Sequence, residues 1–271
     1  METLDIPVLS LALTLLLLII PLFISLKYRL KLIGSLFTST ARMIVQLALI
    51  GLFLKYLFVW NDPFVNAGWL TVMIVVAVFS AVRSSSIKVS KIFLPAFASF
   101  SFATFFVVFF MNIFVIPLKN VFDARYLIVL GGMLLGNSLR GNIVGISTFY
   151  MQLRTDSNHY LYVLSLGASR QEALLPYLRD SVQLALKPTL ASMATMGIVT
   201  LPGMMTGVIL GGADPDVAIK YQILIMVAIL VSTITSVVLT ILLTMRVCID
   251  KYGILRTDVF RNARQKQRKV S

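Results

Sequence analysis

Residues 221–245 read YQILIMVAILVSTITSVVLTILLTM, a run of 25 positions without a charged side chain. A run of that length and apolarity crosses the roughly 30 Å hydrocarbon core of a bilayer as one helix. Working outward from it, six further apolar stretches reach spanning or near-spanning length, at about 7–26, 43–60, 68–82, 92–117, 126–147 and 182–210. The whole chain of 271 residues is 58% hydrophobic and only 13% charged, with a positive mean hydropathy. A soluble protein of this size would need more polar residues to cover its outside. The sequence therefore predicts an all-α polytopic membrane protein of about seven transmembrane helices, forming a single domain over residues 1–271. The start, residues 1–5, carries two acids and no basic residue, which predicts a retained first span over a cleaved signal peptide.

The net charge of +13 raises a nucleic-acid reading, and the placement of the charge answers it. Of 24 Lys and Arg, 20 fall in the segments after the first, third, fifth and seventh stretches; Arg140 is counted among them, at the border of the fifth. Only Lys55, Lys119, Arg125 and Lys220 fall on the other side. A split of that size is the positive-inside pattern: N-terminus outside, C-terminus cytoplasmic, in the cell's inner membrane. The basic charge orients the chain and meets anionic membrane lipid; no separate basic domain exists to bind nucleic acid.

After the first stretch, Leu30, Ile33, Leu36 and Phe37 recur near helical spacing among basic and hydroxyl side chains. Residues 28–42 read either as an amphipathic elbow helix at the inner interface or as part of a longer tilted span. The third stretch is short and its crossing is left open. The fourth is crowded with phenylalanine and is expected to face lipid or pack at the periphery. A polar cytoplasmic loop, residues 147–181, is long enough for two short helices. The tail, 246–271, reads as a solvated basic end.

Several chemistries are missing. None of the 11 acidic residues needs to sit near the bilayer midplane, and the single histidine, His159, lies in the 147–181 loop. Proton relays and ion-coupled carriers commonly use a buried carboxylate or histidine, and triad hydrolysis needs both. The one cysteine, Cys248, supports neither a disulfide framework nor a zinc site. There is no phosphate-binding GxxxxGK[ST] loop, so uphill transport would draw its energy from a partner.

Two strings stand out against this background. In the loop, Leu166-Gly167-Ala168-Ser169-Arg170-Gln171-Glu172 places a helix breaker before Ser169, with Glu172 three residues on, the spacing of a capping box. In the sixth stretch, Leu201-Pro202-Gly203-Met204-Met205-Thr206-Gly207 removes a backbone donor and predicts a bent or loosened helix, with Gly203 and Gly207 permitting close approach. Met204 and Met205 would put soft thioether sulfurs at the break, suited to a metal such as Cu(I), although Met is more often a pliable packing residue. Asp214 and Asp216 beyond it offer hard oxygen ligands at the outer mouth, or equally the N-cap of the next helix.

The 201–207 string, continuing through Gly211-Gly212-Ala213 to Ala218-Ile219-Lys220-Tyr221-Gln222-Ile223, resembles the hallmark of the FetB-type permeases, the UPF0014 family of ATP-binding cassette (ABC) membrane subunits. Gly136-Asn137-Ser138, Leu166-Gly167-Ala168-Ser169 with Leu175-Pro176, and Arg42 with Val45-Gln46-Leu47 carry the same resemblance, which covers residues 42–246. Arg140 departs from it, standing where the family tends to have Asn. The resemblance implies a permease homodimer working with a separate cytoplasmic ABC ATPase, and export of iron or another metal. Leu166, Gly167, Ala168, Ser169 and Glu172 would dock that ATPase. Gln46, Asn137, Pro202, Gly203, Met204, Met205, Thr206 and Gly207 would line the path, and Met204, Met205, Asp214 and Asp216 would be metal ligands. No cofactor is expected on this chain, ATP and Mg belonging to the ATPase, and no catalytic residue is expected. The alternatives are a permease for an organic solute such as a nucleotide sugar, and a polytopic scaffold or lipid-modifying enzyme.

Overall fold

A computed structural model describes residues 7–85, 87–116, 118, 120–250, 252–256 and 259–260. Among the described residues all regular elements are helices, joined by three isolated β-bridges. The protein is an all-α polytopic membrane protein. Five helices are long and apolar enough to span: α3 (Ile33–Trp60), α4 (Pro63–Ser84), α5 (Val89–Phe110) with its π-helical extension Met111–Val115, α6 (Ala124–Thr155) and α10 (Pro215–Cys248). The expected seven are thus not seven equal spans. The first stretch forms α1 (Val8–Leu15), a single 3₁₀ turn and α2 (Ile19–Lys27), an apolar segment shorter than the others. The sixth is split between α8 (Arg170–Thr195) and the eight-residue α9 (Gly203–Leu210). A short helix, α7 (Ser157–Ser165), lies between α6 and α8.

Local chemistry explains where the elements begin. α4 starts at Pro63, earlier than hydropathy implies, because Asp62 caps it: its Oδ1 accepts from the N–H of Phe64 and Val65 at 2.9 and 3.1 Å. The 22 residues that result are long and apolar enough to cross. The proposed elbow over 28–42 does not form a helix of its own. Arg29 and Lys31 take positive φ, the chain reverses on Ser25, and residues 33–42 join α3, which favours the longer-span reading.

The body is built from α4, α5, α6, α8 and α10. Gly141 and Gly145 let α6 approach α10 until a Cβ on either would meet Thr233 or Val237 at 2.6–2.7 Å. A polar ladder runs along the same seam: Ser138 pairs with Ser232 at 3.3 Å, Asn142 donates to Ser236 at 2.8 Å, and Tyr150 donates to Thr244 at 2.8 Å. All three pairs are 94 residues apart, so α6 and α10 run parallel and in register. The phenylalanine-rich α5 is not peripheral on both faces. Its Ile92, Ala96, Phe100, Ala103 and Val107 are buried, and it packs along α10, while Phe102, Phe106, Phe110 and Phe114 point outward.

By contrast α3 is barely covered by the body. Its far end is held by Leu57, by Phe53 against Trp69 with ring centroids 4.2 Å apart, and by the Asn61 amide, which donates to Asp123 and accepts from Ala124 N–H. At the opposite, basic end the chain after α10 turns back. Lys88 N–H donates to the carbonyl of Val259 at 2.8 Å, and Ile249, Val259 and Phe260 are buried, with Phe260 edge-on to Tyr150. Ile249, Val259 and Phe260 are thus packed, whereas Tyr252 and Ile254 are exposed; residues 251, 257, 258 and 261–271 lie outside the described residues, as do residues 1–6.

Candidate functional site

Two arrangements are connected by one helix. At the basic end, Leu166 closes the turn after α7 and is 69% exposed. Gly167 takes φ +92, a left-handed conformation that glycine adopts without a Cβ penalty. Ser169 then caps α8, and the predicted capping box is complete in both directions. Burial of Ala173, Leu174 and Tyr177 fixes the first turns of α8 on the core, and the Arg170 guanidinium donates to the carbonyl of Asp250 at 2.7 Å. The elbow is thus anchored on its inner side and open on its outer side, where Leu166, Tyr162 and Leu161 expose apolar surface.

From the Ser169 cap, α8 continues for 26 residues to Thr195, with Pro176 and Pro188 inside it, about 39 Å at 1.5 Å per residue. Its second half carries Ala185, Pro188, Thr189 and Ser192 to a cavity of about 610 Å³ shared with α6, α9 and α10. Beyond Thr195 the helix stops. Gly197 at φ +86 donates to the Thr200 carbonyl, Met196 and Thr200 form a bridge, and Pro202 restarts the chain as α9. The break expected at Pro202-Gly203 is present, and it borders the cavity.

The structure brings together only part of the predicted path. Asn137, Pro202, Gly203 and Met204 line the cavity; Met205, Thr206 and Gly207 do not. Thr206 instead donates to the Pro202 carbonyl at 3.0 Å. Gly203 and Gly207 face open space within the chain, so their lack of a side chain is not used for close approach here. Gln46 lies exposed on α3, away from the cavity. Asp214 is the N-cap of α10, accepting from Asp216 N–H at 3.0 Å, and Asp216 sits in the first turn, as the capping alternative expects. Among the described residues no cluster of three His, Cys, Asp or Glu could hold a metal.

Other lining residues escaped sequence reasoning. Gln222 on α10 is only 6% exposed; its Nε2 donates to Met196 Sδ at 3.6 Å and its Oε1 has no partner. Met133, Met196 and Met226 join Met204 around the same space. Arg140 also lines it. Arg140 falls inside the fifth apolar stretch, 126–147, and α6 runs on to Thr155, so Arg140 sits near the middle of the helix. A glutamine and an arginine inside apolar stretches were the available signals.

A model of the uncharacterised protein family UPF0014 matches residues 8–249. The chain belongs to that family. Within UPF0014 it is 35% identical over 218 residues to the probable iron export permease protein FetB of Escherichia coli, covering 80% of this chain and 82% of the relative. It is 30% identical over 219 residues to the membrane protein YjkA of Bacillus subtilis, covering 80% and 86%. It is also 32% identical over 218 residues to the protein ALUMINUM SENSITIVE 3 of Arabidopsis thaliana, covering 77% and 75%. No solved structure matches the chain.

Proposed function

We propose that this chain is the permease subunit of an ABC exporter, working as a homodimer with a separate cytoplasmic ATPase and moving iron or another metal out of the cell. The observation that carries the reading is the continuity of α8: one helix joins the exposed elbow at Leu166–Glu172 to the wall of the cavity at Pro188, Thr189 and Ser192. A push on the elbow would travel along this one helix to the cavity, with Pro176 and Pro188 as the points where a backbone donor is missing and the helix can bend. ATP-driven closure of the docked partners would displace Ser169 and Glu172, and the break at 196–202 gives the far end of the helix a place to yield. The elbow's outward apolar side chains supply the docking surface. The name of the Escherichia coli relative supports iron as cargo and export as direction.

The orientation follows from the charge: the elbow, the α4–α5 turn and the end of α10 carry the basic residues and face the cytoplasm, in the inner membrane. Co-purification with the ATPase, followed by ATP hydrolysis and vesicle export assays across a panel of metals, tests the reading. It is abandoned if no ATPase is recovered, or if hydrolysis and export both fail to respond to any cargo offered.

A further inference from the structure

Arg140 stands about 24 Å along α6 from Ala124, within the apolar length of the helix, and is exposed. Arg140 lines the 610 Å³ cavity, and among the described residues no Asp or Glu lines it. A guanidinium within an apolar span is costly unless it faces a partner or a polar cavity, and it marks a solute path when it does. The rest of the polar lining is neutral: Asn137, Thr189, Ser192 and Gln222. Gln222 is more than nine-tenths buried and leaves one end of its amide without a hydrogen bond.

That composition repels a bare divalent cation. Thioether sulfurs of the surrounding methionines are uncharged and weak acceptors, and they do not offset a fixed positive charge. It suits an oxyanion, because a guanidinium offers a planar fork of donors that matches carboxylate and phosphate oxygens, with amides and hydroxyls to complete the shell. Size points the same way. At about 30 Å³ per water the cavity holds roughly 20 waters, a space for a small metabolite and not for a single dehydrated ion.

Resting on the transport reading above, we propose that cargo occupies this cavity as an anionic, oxygen-bearing solute held by Arg140 and by Asn137 one turn before it on α6, so that a metal leaves as an anionic complex with such a ligand. The site selects the ligand's carboxylate or phosphate groups, and the metal is carried with them.

The test uses the full chain in nanodiscs, with citrate, pyrophosphate, ferric citrate, free Fe²⁺ and free Ag⁺ as probes in calorimetric titration. Citrate, pyrophosphate or ferric citrate is expected to bind, and Arg140→Gln to weaken that binding tenfold or more, while Arg140→Lys retains part of it. Asn137→Leu keeps side-chain shape and is expected to weaken it threefold or more, which preserves the test if the arginine variant is not recovered folded. Anion affinity unchanged in these variants overturns the proposal, as does tighter binding of free Fe²⁺ or Ag⁺ by the unmodified chain. Nanodiscs of phosphatidylcholine alone and with phosphatidylglycerol separate a soluble anion from a lipid headgroup: equal binding in both supports the soluble solute, and loss with phosphatidylglycerol assigns Arg140 to lipid and overturns it. Vesicle export with the partner ATPase is run in parallel. Export of a bare metal without anion binding would sink this proposal and leave the transport reading standing; anion binding without any export would do the reverse.

Discussion

The Glu172 carboxylate accepts from both the backbone N–H and the hydroxyl of Ser169, at 2.8 and 2.7 Å, and Glu172 N–H returns a bond to the same hydroxyl at 3.3 Å. The hydroxyl bond first, and then the backbone bond, hold this carboxyl below its ordinary value of 4.5. A lowered folded value means that the cap is fully formed above the unfolded value and is lost as pH falls through the folded one. The first turn of α8 should therefore be indifferent to pH above 4.5 and loosen below it. Amide exchange at Gln171, Glu172 and Ala173, corrected for intrinsic rate, reads the effect, and Glu172→Gln should flatten the profile.

Ser169→Ala removes the acceptor for Glu172 N–H and should cost about 1 kcal/mol of local helix stability. Gly167→Pro cannot reach φ +92 and should redirect the elbow. Both variants are expected to insert normally and to recover less ATPase in a pull-down, the proline variant by far the less. Wild-type recovery from both would remove the elbow as the docking element.

Gly145→Val forces a branched side chain into the space already taken by Val237 Cγ1, 2.7 Å from the built Cβ, and should destabilise the fold by about 1–3 kcal/mol. Gly136→Ala, on the same helix with open space around it, should be neutral or slightly stabilising. Thermal unfolding in detergent distinguishes the two glycines.

Met204 lines the cavity and Met205 does not, so the adjacent methionines should separate in function. Met204→Leu is expected to change export rate, whereas Met205→Leu, a swap of similar volume outside the lining, should leave it near wild type. Pro202→Ala with Gly203→Ala should slow export further by favouring continuation of the helix across the break. Equal export by both single variants would return Met204 to a packing role.

Asp62 and Tyr252 occupy opposite ends of the bundle. Cysteines placed there should label from opposite sides of the membrane, Tyr252→Cys only from the cytoplasm. Labelling from one side would overturn the orientation.

Hydropathy located the long helices because burial in lipid and burial in a protein core ask for the same side chains. It failed at edges, where capping decides: Asp62 and Pro63 begin α4 several residues before its apolar run. The capping box at Ser169 was legible because it depends on residues three apart. The cavity was legible only at Asn137 and at the 202–204 break, since its other walls come from helices far apart in sequence, and Gln222 and Arg140 line one space only after α6, α8 and α10 have packed. The methionine pair divides for a geometric reason. Neighbours on a short helix point about 100° apart, so one enters the cavity and the other turns away.

The 94-residue register between α6 and α10 bears on which parts of the molecule are free to move. A slip of one residue would rotate either helix by about 100° and break the Ser138, Asn142 and Tyr150 bonds together, while driving Gly141 and Gly145 out from under Thr233 and Val237. No graded sliding is available to such a keyed pair. In the proposed transport cycle it would serve as the fixed frame, the beam against which α8 and α9 move, and the stroke would be set by their travel alone.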